Sequence, residues 1–249
     1  MYFSSTNNKF YSIICTNGVI LLKQYKTELH THTAETSNCG HVKAEDLIKA
    51  YISKGYSTVV ISDHLSTHTY FKYDYNNMTW DEKIDIFVKG YNAALKAADS
   101  KINVLLGMEM RFDEALPEHD LNDYLVFGVT EEFLRNNGDL INMNIESFSE
   151  LAHKNGLLIF QAHPFRKNIT RADPKLLDGA EIYNGCPRHE SHNDKAEKWA
   201  KDNGLKGTSG SDFHELEDVA HGGIITDTEI KHNKDLLKIL TENNYEIIK

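Results

Sequence analysis

The sequence predicts an α/β fold built on a parallel sheet with helices outside it, either closed as a barrel or open and doubly wound. Short apolar runs alternate with helical patterns along most of the chain, and several helical segments end in Gly or Asn. The 249 residues, 40% of them hydrophobic, suffice to bury one substantial core. We therefore expect a single domain over residues 1–249.

The chain is expected to begin with a β-hairpin and then to alternate strands with helices. The run YSIICTNGVILLKQY contains Asn17-Gly18, a dipeptide preferred in tight turns, so residues 1–26 are predicted to form a hairpin extension. The later apolar runs predict strands at 27–33, 57–64, 102–112, 123–129, 156–164, 179–185, 205–212 and 222–227. The segments between them predict helices at 42–55, 81–100, 144–156, 190–204 and 233–244.

Composition and charge exclude several classes of protein. The formal net charge of -10 argues against the broad basic surface that binds duplex nucleic acid. Cysteine occurs only as Cys15, Cys39 and Cys186, without a CxxC pair. This predicts neither a disulfide framework nor a thiolate zinc module, and it fits a reducing cytoplasm. No apolar run is long enough to span a bilayer, so we expect no membrane partner.

Three histidines and two glutamates are concentrated in the segment ELHTHTAETSNCGH, residues 28–41. His30 and His32 lie two residues apart, so in an extended chain their imidazoles project to the same face. Paired imidazoles fill a core poorly, whereas neutral imidazole is the commonest metal ligand in proteins. The pair therefore predicts the start of a metal site.

Five predicted strands carry His, Asp or Glu at or near their carboxyl ends. The residues are His30, His32, Asp63, His64, Glu109, His163, Asp212 and His214. The carboxyl ends of barrel strands converge on one face, where active sites are built. Purely structural roles would leave several buried charges without cationic partners, because these strand ends carry few positive side chains apart from Arg111 and Arg166. A metal centre would supply the missing positive charge.

The mixture of ligand types restricts the metal. Imidazole and carboxylate ligands without thiolate suit zinc, manganese or iron better than calcium or magnesium alone. The predicted ligands also exceed the needs of one tetrahedral ion. We therefore expect two or three divalent metal ions, with Glu109 and Asp212 as bridging carboxylates.

The motifs HTH, SDH, GMEM, QAHPF and GSDFH, in this order, resemble those of the PHP (polymerase and histidinol phosphatase) superfamily of metal-dependent phosphoesterases. The resemblance extends from about residue 27 to about residue 225. It implies a distorted (βα)7 TIM-like barrel and a site of two or three metals that hydrolyses phosphoesters. It also implies ligands for the first metal at His30, His32, Glu109 and Asp212, for the second at Glu109 and His163, and for the third at His64 and His214.

Two positions depart from the family pattern. Members often carry an Asp or His a few residues after the HxH pair, where Glu35 and His41 compete in this chain and Glu35 is the preferred ligand. Many members also place a His in the strand after GxE, but the run 121–129, LNDYLVFGV, has none. Asp123 either substitutes at the second metal or merely begins a strand.

The expected reaction is hydrolysis of a phosphoester by a water that the metal centre acidifies. Asp212 and His214 are the candidate catalytic residues among the ligands. Arg166, in the motif HPFR, either clamps a phosphate oxygen in a forked geometry or lies on the surface. Arg111 and Arg188 are weaker candidates for the same role.

The acidic chain favours a small phosphorylated metabolite or nucleotide as substrate, cleaved by a phosphomonoesterase. A nuclease that trims short oligonucleotides is the alternative within the same chemistry. A metal-dependent C–N hydrolase of the amidohydrolase type is an alternative from another class, because such enzymes use similar His and Asp sets. A metal-stabilised module without catalytic activity is a further alternative.

Overall fold

The computed structural model describes residues 24–112 and 122–249, together with the backbone of the strands β1 (Ile13–Thr16) and β2 (Val19–Leu22). These two strands pair antiparallel, with Thr16 opposite Val19. The strands of the predicted N-terminal hairpin are therefore present. The predicted Asn17-Gly18 turn lies outside the described residues.

The other described strands form two sheets. In spatial order, the first contains β13 (Glu246–Ile247), β12 (Ile224–Thr226), β3 (Tyr25–Glu28), β4 (Tyr56–Ile61) and β6 (Asn103–Leu106). The second contains β11 (Lys206–Gly210), β10 (Gly179–Asn184), β9 (Leu158–Gln161), β8 (Tyr124–Phe127), β7 (Met108–Met110) and β5 (His64–Leu65). The molecule is thus a mixed α/β fold, as the sequence predicts.

Two of the predicted strands pass from one sheet to the other. The predicted strand 57–64 divides into β4 and β5, and the predicted strand 102–112 divides into β6 and β7. Between the halves, the Gly107 amide donates to the Ile61 carbonyl at 2.9 Å, and the Glu109 amide donates to the Asp63 carbonyl at 3.1 Å. These bonds join the two segments in register and make His64 the partner of Glu109.

The expectation of an all-parallel sheet is wrong at β8 and β12. Strand β8 runs antiparallel to both β7 and β9, and β12 runs antiparallel to β3. Parallel neighbours require a long crossover, usually a helix, and no described residue between β7 and β8 is helical. Because of this reversal, Asp123, directly before β8, lies beside the carboxyl ends of β7 and β9, where its carbonyl accepts the Ala162 N–H at 3.0 Å.

The helices mostly follow the predicted pattern. Those in the described part of the chain are α1 (Ala44–Ser53), α2 (Trp80–Phe87), α3 (Lys89–Ala98), α4 (Glu131–Asn136), α5 (Ile145–Lys154), α6 (Asn193–Asp202) and α7 (Asn233–Glu242). Helix α4 is not predicted, because its 6 residues are too few to display a helical period. No helix among the described residues is long and apolar enough to cross a membrane.

The single helix predicted at 81–100 is two helices, α2 and α3, which meet at Val88. Helix α3 begins with a close approach to neighbouring segments. A Cβ at Gly90 would lie 1.9 Å from Thr33 Oγ1 and 2.5 Å from Asp63 Oδ2, so only glycine lets the helix pack here. Gly90 therefore lets α3 pack against the segment that follows β3.

Candidate metal centre

The structure brings all but one of the predicted ligands into one cluster, most of whose members are buried. Their ligand atoms fall into overlapping groups whose members lie within 4.8 Å of one another. The predicted ligands found in these groups are His30, His32, His64, Glu109, His163, Asp212 and His214. Residues as far apart in the sequence as His30 and His214 therefore meet where the carboxyl ends of the strands converge.

Glu109, in β7, lies at the centre of the cluster and is 1% exposed. Its Oε2 lies 3.3 Å from His30 Nε2, 3.1 Å from His32 Nε2 and 3.2 Å from His64 Nδ1. Its Oε1 lies 3.1 Å from His163 Nε2. One carboxylate thus faces four imidazoles, which is the arrangement expected of a carboxylate that bridges metal ions.

Asp212, two residues after the end of β11, faces two of these imidazoles. Its Oδ1 lies 3.3 Å from His30 Nε2 and 3.4 Å from His32 Nε2. Its Oδ2 accepts hydrogen bonds from Arg166 Nη2 at 2.7 Å and Asn184 Nδ2 at 3.2 Å. The backbone of Asp212 is left-handed, with φ 49°, a conformation that costs free energy in a residue other than glycine. The fold therefore holds one carboxylate oxygen towards the cluster and secures the other.

His30 is oriented by a second buried glutamate. Its Nδ1 donates to Glu181 Oε1 at 2.9 Å, and Glu181 Oε2 accepts the backbone N–H of His163 at 3.0 Å. A Cβ at Gly210 would lie 2.4 Å from the Cβ of His30, so the neighbouring strand packs directly against this histidine. A carboxylate on Nδ1 fixes the tautomer and turns Nε2 towards the metal, as is typical of ligating histidines.

His32 is oriented through Ser37 and Asp63. The Nδ1 of His32 lies 3.3 Å from Ser37 Oγ, which donates to Asp63 Oδ1 at 2.6 Å. Asp63 also accepts the N–H and the hydroxyl of Thr33, each at 2.7 Å. Although Asp63 ends a predicted strand, its carboxylate is occupied by these donors. Asp63 therefore holds the segment after the HxH pair and leaves His32 Nε2 for the cluster.

Two further histidines of the cluster, His64 and His214, pack against His32. Its ring centroid lies 4.6 Å from that of His64 and 4.5 Å from that of His214. Nδ1 of His214 donates to the Asp212 carbonyl at 2.7 Å, whereas the buried Nδ1 of His163 has no hydrogen-bond partner. The buried Nδ1 of His64 forms no hydrogen bond either, although Glu109 Oε2 lies 3.2 Å away. Unpartnered ring nitrogens beside carboxylates are a donor set that divalent cations fit. The residues present therefore suit the metal ions that the sequence predicts.

The carboxylates favour positive charge on the two central imidazoles. Burial opposes protonation of His30, but Asp212, Glu181 and Glu109 together raise its pKa well above the usual value. Burial also opposes protonation of His32, but Asp212 and Glu109 raise its pKa to about 9. Without metal the centre therefore prefers bound protons, which metal ions must displace.

The imidazoles act on the carboxylates in return. Burial alone would raise the pKa of Glu109, but the neighbouring His64 and His30 hold it well below its usual value. Likewise, His30 and Arg166 outweigh burial at Asp212 and hold its pKa well below the usual value. Both carboxylates are therefore ionised and available as metal ligands at neutral pH.

Glu35 is the predicted ligand that the structure does not bring to the cluster. Its carboxylate accepts the backbone N–H of Ala44 at 3.0 Å and 3.2 Å, at the first residue of α1. A negative charge at a helix N-terminus is favourable, and this use draws Glu35 away from the metal ligands. His41, the alternative, is exposed and pairs with Glu215. Neither of the competing residues therefore completes the site.

Asp123, the open alternative at the second metal, belongs to the cluster. One of its carboxylate oxygens lies within 4.8 Å of ligand atoms of His64 and Glu109. Both oxygens are also bound by Arg111, with Nε at 2.7 Å and Nη2 at 2.6 Å. Asp123 thus begins its strand and also faces the site, paired with an arginine.

The two other predicted arginines have different positions. Arg166 reaches the cluster through Asp212, and its side chain is 17% exposed. Its buried Nε has no hydrogen-bond partner. Arg188 instead binds Asp218, with Nη2 at 2.6 Å from Oδ2. Arg166 therefore remains a candidate for contact with substrate, whereas Arg188 is committed to an ion pair.

Sequence reasoning missed three residues in or beside the cluster. Cys39 groups with His32 and His64, and Cys186 groups with Asp212 and His214. Glu181 orients His30, and the signal for it was a charged residue inside the apolar run GAEIYNG. No signal marked the cysteines, because they lie in loops whose course the sequence does not predict.

Comparisons with known proteins give the chain a family and a fold. The sequence profile of the family described as PHP domain matches residues 28–246. A search of curated proteins found no match. Among solved structures, the chain is similar to PsfC from Pseudomonas syringae PB-5123, with a TM-score of 0.61 and 11% identity over 86% of this chain and 88% of that one.

Two further structures are similar to the chain. An amidohydrolase from Chromobacterium violaceum, with bound sulfate and no metal, has a TM-score of 0.53 and 16% identity over 86% of this chain and 96% of that one. A protein from Bifidobacterium adolescentis, provisionally assigned as a metal-dependent phosphoesterase, has a TM-score of 0.47 and 15% identity over 76% of this chain and 88% of that one. The second likeness is too low to carry an argument.

Proposed function

The chain belongs to the PHP domain family, and from this membership together with the site we propose that it is a metal-dependent phosphatase of small phosphomonoesters. The observation that carries the proposal is the position of Glu109, whose two oxygens lie between 3.1 and 3.3 Å from four imidazole nitrogens. If these imidazoles were purely structural, several buried polar groups around one carboxylate would lack proper hydrogen-bond partners. In a metal-dependent hydrolase, the imidazoles and the carboxylate would instead serve as metal ligands.

The proposed centre holds two or three divalent ions, with zinc, manganese and iron as the suitable metals. When bound, such ions acidify a water and neutralise negative charge on a phosphoryl group. The family resemblance distributes the ligands over the ions as His30, His32, Glu109 and Asp212, then Glu109 and His163, then His64 and His214. The overlap of the ligand groups at Glu109 and Asp212 supports these two residues as bridges.

The protein's own contribution is to hold ligands and substrate in place. Glu181 and Ser37 keep the Nε2 atoms of His30 and His32 directed at the centre. Arg166 secures Asp212 and has an unpartnered Nε–H, which a phosphate oxygen of the substrate could accept. Arg166 is therefore proposed to bind substrate as well as to position a ligand.

A cavity beside the cluster favours a compact substrate. It has a volume of about 200 Å³, and its lining includes His64, Ser66 and Arg111. Pockets for drug-sized ligands usually measure about 300–1,000 Å³, so this one fits a small molecule better than an oligonucleotide. The Oγ of Ser66 is buried without a hydrogen-bond partner, and the Arg111 guanidinium supplies positive charge. A small anionic substrate would provide an acceptor for the Ser66 hydroxyl, next to Arg111, whose guanidinium also binds Asp123.

We propose the same architecture that the resemblance implies, a single domain whose two sheets close as a distorted barrel. The support is a parallel bridge between Thr31 and Phe213, beyond the ends of β3 and β11. There the His32 amide donates to the Phe213 carbonyl at 3.0 Å. This contact links β11, an edge strand of the six-stranded sheet, to β3 of the five-stranded sheet.

A C–N hydrolase is the second candidate, favoured by the likeness to the Chromobacterium amidohydrolase. Enzymes of that type typically use a carboxylated lysine as a metal ligand. Among the described residues the buried lysine is Lys83, and its Nζ lies over the Tyr75 ring and 3.6 Å from Asp139. The lysine that this chemistry would need is therefore not at the cluster.

The experiment that tests the proposed function compares substrates on the metal-loaded protein. We expect release of phosphate from para-nitrophenyl phosphate and from a panel of small phosphomonoesters, and no turnover of cyclic amides. An excess of strong chelator should remove the activity after time for slow metal release. Turnover of a cyclic amide without phosphatase activity would instead support the C–N hydrolase.

A further inference from the structure

Cys39 places a sulfur atom beside the metal cluster. Its Sγ, one ring nitrogen of His32 and one ring nitrogen of His64 all lie within 4.8 Å of one another. Tetrahedral ligands of an ion bound at about 2.0–2.3 Å lie roughly 3.5 Å apart, so movements of about 1 Å bring this group to coordination distance. Side-chain rotation alone can supply such a movement.

Contacts on both sides fix the turn that carries Cys39. Ser37 Oγ donates to Asp63 at 2.6 Å, and the Gly40 amide donates to the Ser37 carbonyl at 3.1 Å. A Cβ at Gly40 would lie 2.8 Å from the carbonyl oxygen of Thr33, so only glycine allows this close packing. Gly40 and Asp63 thereby keep the sulfur at a defined position next to the cluster.

The Sγ atoms of the two cysteines near the cluster, Cys39 and Cys186, differ in their neighbouring groups. Neither cysteine forms a disulfide bond, and a ring nitrogen of His64 lies within 4.8 Å of the Cys39 Sγ. The Sγ of Cys186, in contrast, accepts a hydrogen bond from Arg188 Nη2 at 3.3 Å. A cation is therefore better accommodated at Cys39 than beside the guanidinium at Cys186.

We propose that the Cys39 thiolate and a ring nitrogen of His64 are ligands of the same ion of this centre. The proposal rests on the proposed metal-dependent function and specifies the class of metal at that position. A thiolate selects zinc, iron or cobalt over magnesium, calcium or manganese. The Cys39 thiol loses its proton to solvent as the sulfur–metal bond forms. This inference revises the prediction of a centre made only of imidazole and carboxylate.

Absorption spectroscopy of the full chain, stripped of metal and reloaded with Co²⁺, tests this inference. Thiolate ligation produces a sulfur-to-cobalt charge-transfer band in the near ultraviolet, whereas visible d–d bands also report imidazole and carboxylate ligands. The wild-type protein should show both kinds of band. Cys39→Ser and Cys39→Ala should lose the charge-transfer band and keep d–d bands. Cys186→Ser is the matched control and should keep both.

The outcomes separate this inference from the function on which it rests. Wild-type d–d bands without a charge-transfer band overturn the role of Cys39 and leave the phosphatase proposal standing. A charge-transfer band that disappears only in Cys186→Ser assigns the sulfur to Cys186 and also overturns it. A wild-type chain that binds no Co²⁺ contradicts the metal centre itself. Circular dichroism of each variant confirms that the loss of a band does not reflect loss of the fold.

Discussion

Glu28 and Glu109 are both buried glutamates, but their surroundings differ in kind. Glu28 Oε1 accepts the backbone N–H groups of Leu29, His30 and Ser211 at 2.9–3.0 Å. Its Oε2 accepts the hydroxyls of Tyr51 and Ser211. The oxygens of Glu109 instead face ring nitrogens of four histidines.

The difference shows how to distinguish a structural carboxylate from a metal ligand. The backbone N–H and hydroxyl groups around Glu28 act as hydrogen-bond donors to its carboxylate. Those of Ser211 also join β3 to the segment after β11. The imidazoles around Glu109 are Lewis bases that can bind the same cation as the carboxylate. Burial raises the pKa of Glu28 against its donors, whereas the imidazoles hold the pKa of Glu109 well below its usual value. Glu28 thus serves the fold and Glu109 the chemistry.

The largest expected effect is that of Glu109→Gln on turnover. The amide keeps the shape of the side chain but removes the charge that we propose bridges the ions. Substitution of a residue that only supports a ligand typically lowers activity about 10–100-fold. Loss of the bridging carboxylate should therefore lower turnover by more than about 100-fold. Phosphate release from para-nitrophenyl phosphate measures it. Activity within tenfold of the wild type would place Glu109 outside the reaction.

Asp212→Asn should come next, with a loss of about 100-fold in turnover and an unchanged fold. The amide retains a partner for Arg166 through its oxygen, but it removes the negative charge facing His30 and His32. Comparison of turnover with circular dichroism at the same protein concentration separates the two effects. Near wild-type turnover would show that Asp212 is not at the centre.

The pH dependence of stability should reverse when metal is removed. Without metal, the pKa of His32 is raised from 6.5 to about 9, so its proton stabilises the folded state fully below pH 6.5 and is lost as the pH rises through about 9. The free energy of unfolding in chelator should fall by up to about 3 kcal/mol over this range. In the metal-loaded protein it should rise, because ions need neutral imidazole.

Urea unfolding at the two ends of this pH range, with and without chelator, measures that reversal. Both curves sloping in the same direction would contradict the assignment of His32 as a ligand.

A smaller effect is expected for Glu28→Gln, which tests the structural half of the comparison. The new amide group would face N–H and hydroxyl donors, so the free energy of unfolding should fall by about 2 kcal/mol. Urea unfolding measures the loss, and turnover of the folded fraction should stay close to that of the wild type. A variant as stable as the wild type would mean that these donors do not need the carboxylate.

The smallest expected effect concerns Arg166. Because it contacts Asp212 and offers a free Nε–H, Arg166→Ala should raise KM and lower kcat, with a combined loss in kcat/KM of about tenfold, or roughly 1.4 kcal/mol. Arg166→Lys should recover only part, since a point charge lacks the planar fork. A lower kcat with unchanged KM would restrict Arg166 to positioning Asp212. Both constants within twofold of the wild type would remove it from the site.

The sequence predicted the ligands best where they end a strand. His30, His64, Glu109, His163 and Asp212 follow apolar runs whose carboxyl ends converge, so secondary structure alone brings them together. The same rule missed the orientation of β8, since nothing in the run 123–129 distinguishes a parallel from an antiparallel strand. Asp123 could therefore not be placed from the sequence.

Residues in loops depended on tertiary contacts that no local pattern encodes. The turn after His32 is shaped by Asp63 and by the close approach of Gly40 to Thr33. As a result of that shape, Glu35 lies at the start of α1 and Cys39 lies at the cluster. The sequence instead predicts Glu35 as a metal ligand and no thiolate ligand. Side chains whose position depends on a turn are thus the ones for which the structure was required.

The central claim is that the imidazole cluster around Glu109 is a divalent-metal centre and that the Glu28 cluster is not. Its most direct test is the metal content per chain of the wild type, Glu109→Gln and Glu28→Gln, each purified without added metal and measured by elemental analysis. We predict two or three ions in the wild type and in Glu28→Gln, and loss of at least one ion in Glu109→Gln. The same metal content in Glu109→Gln as in the wild type, or no metal in any of the three proteins even after reloading, would contradict the claim.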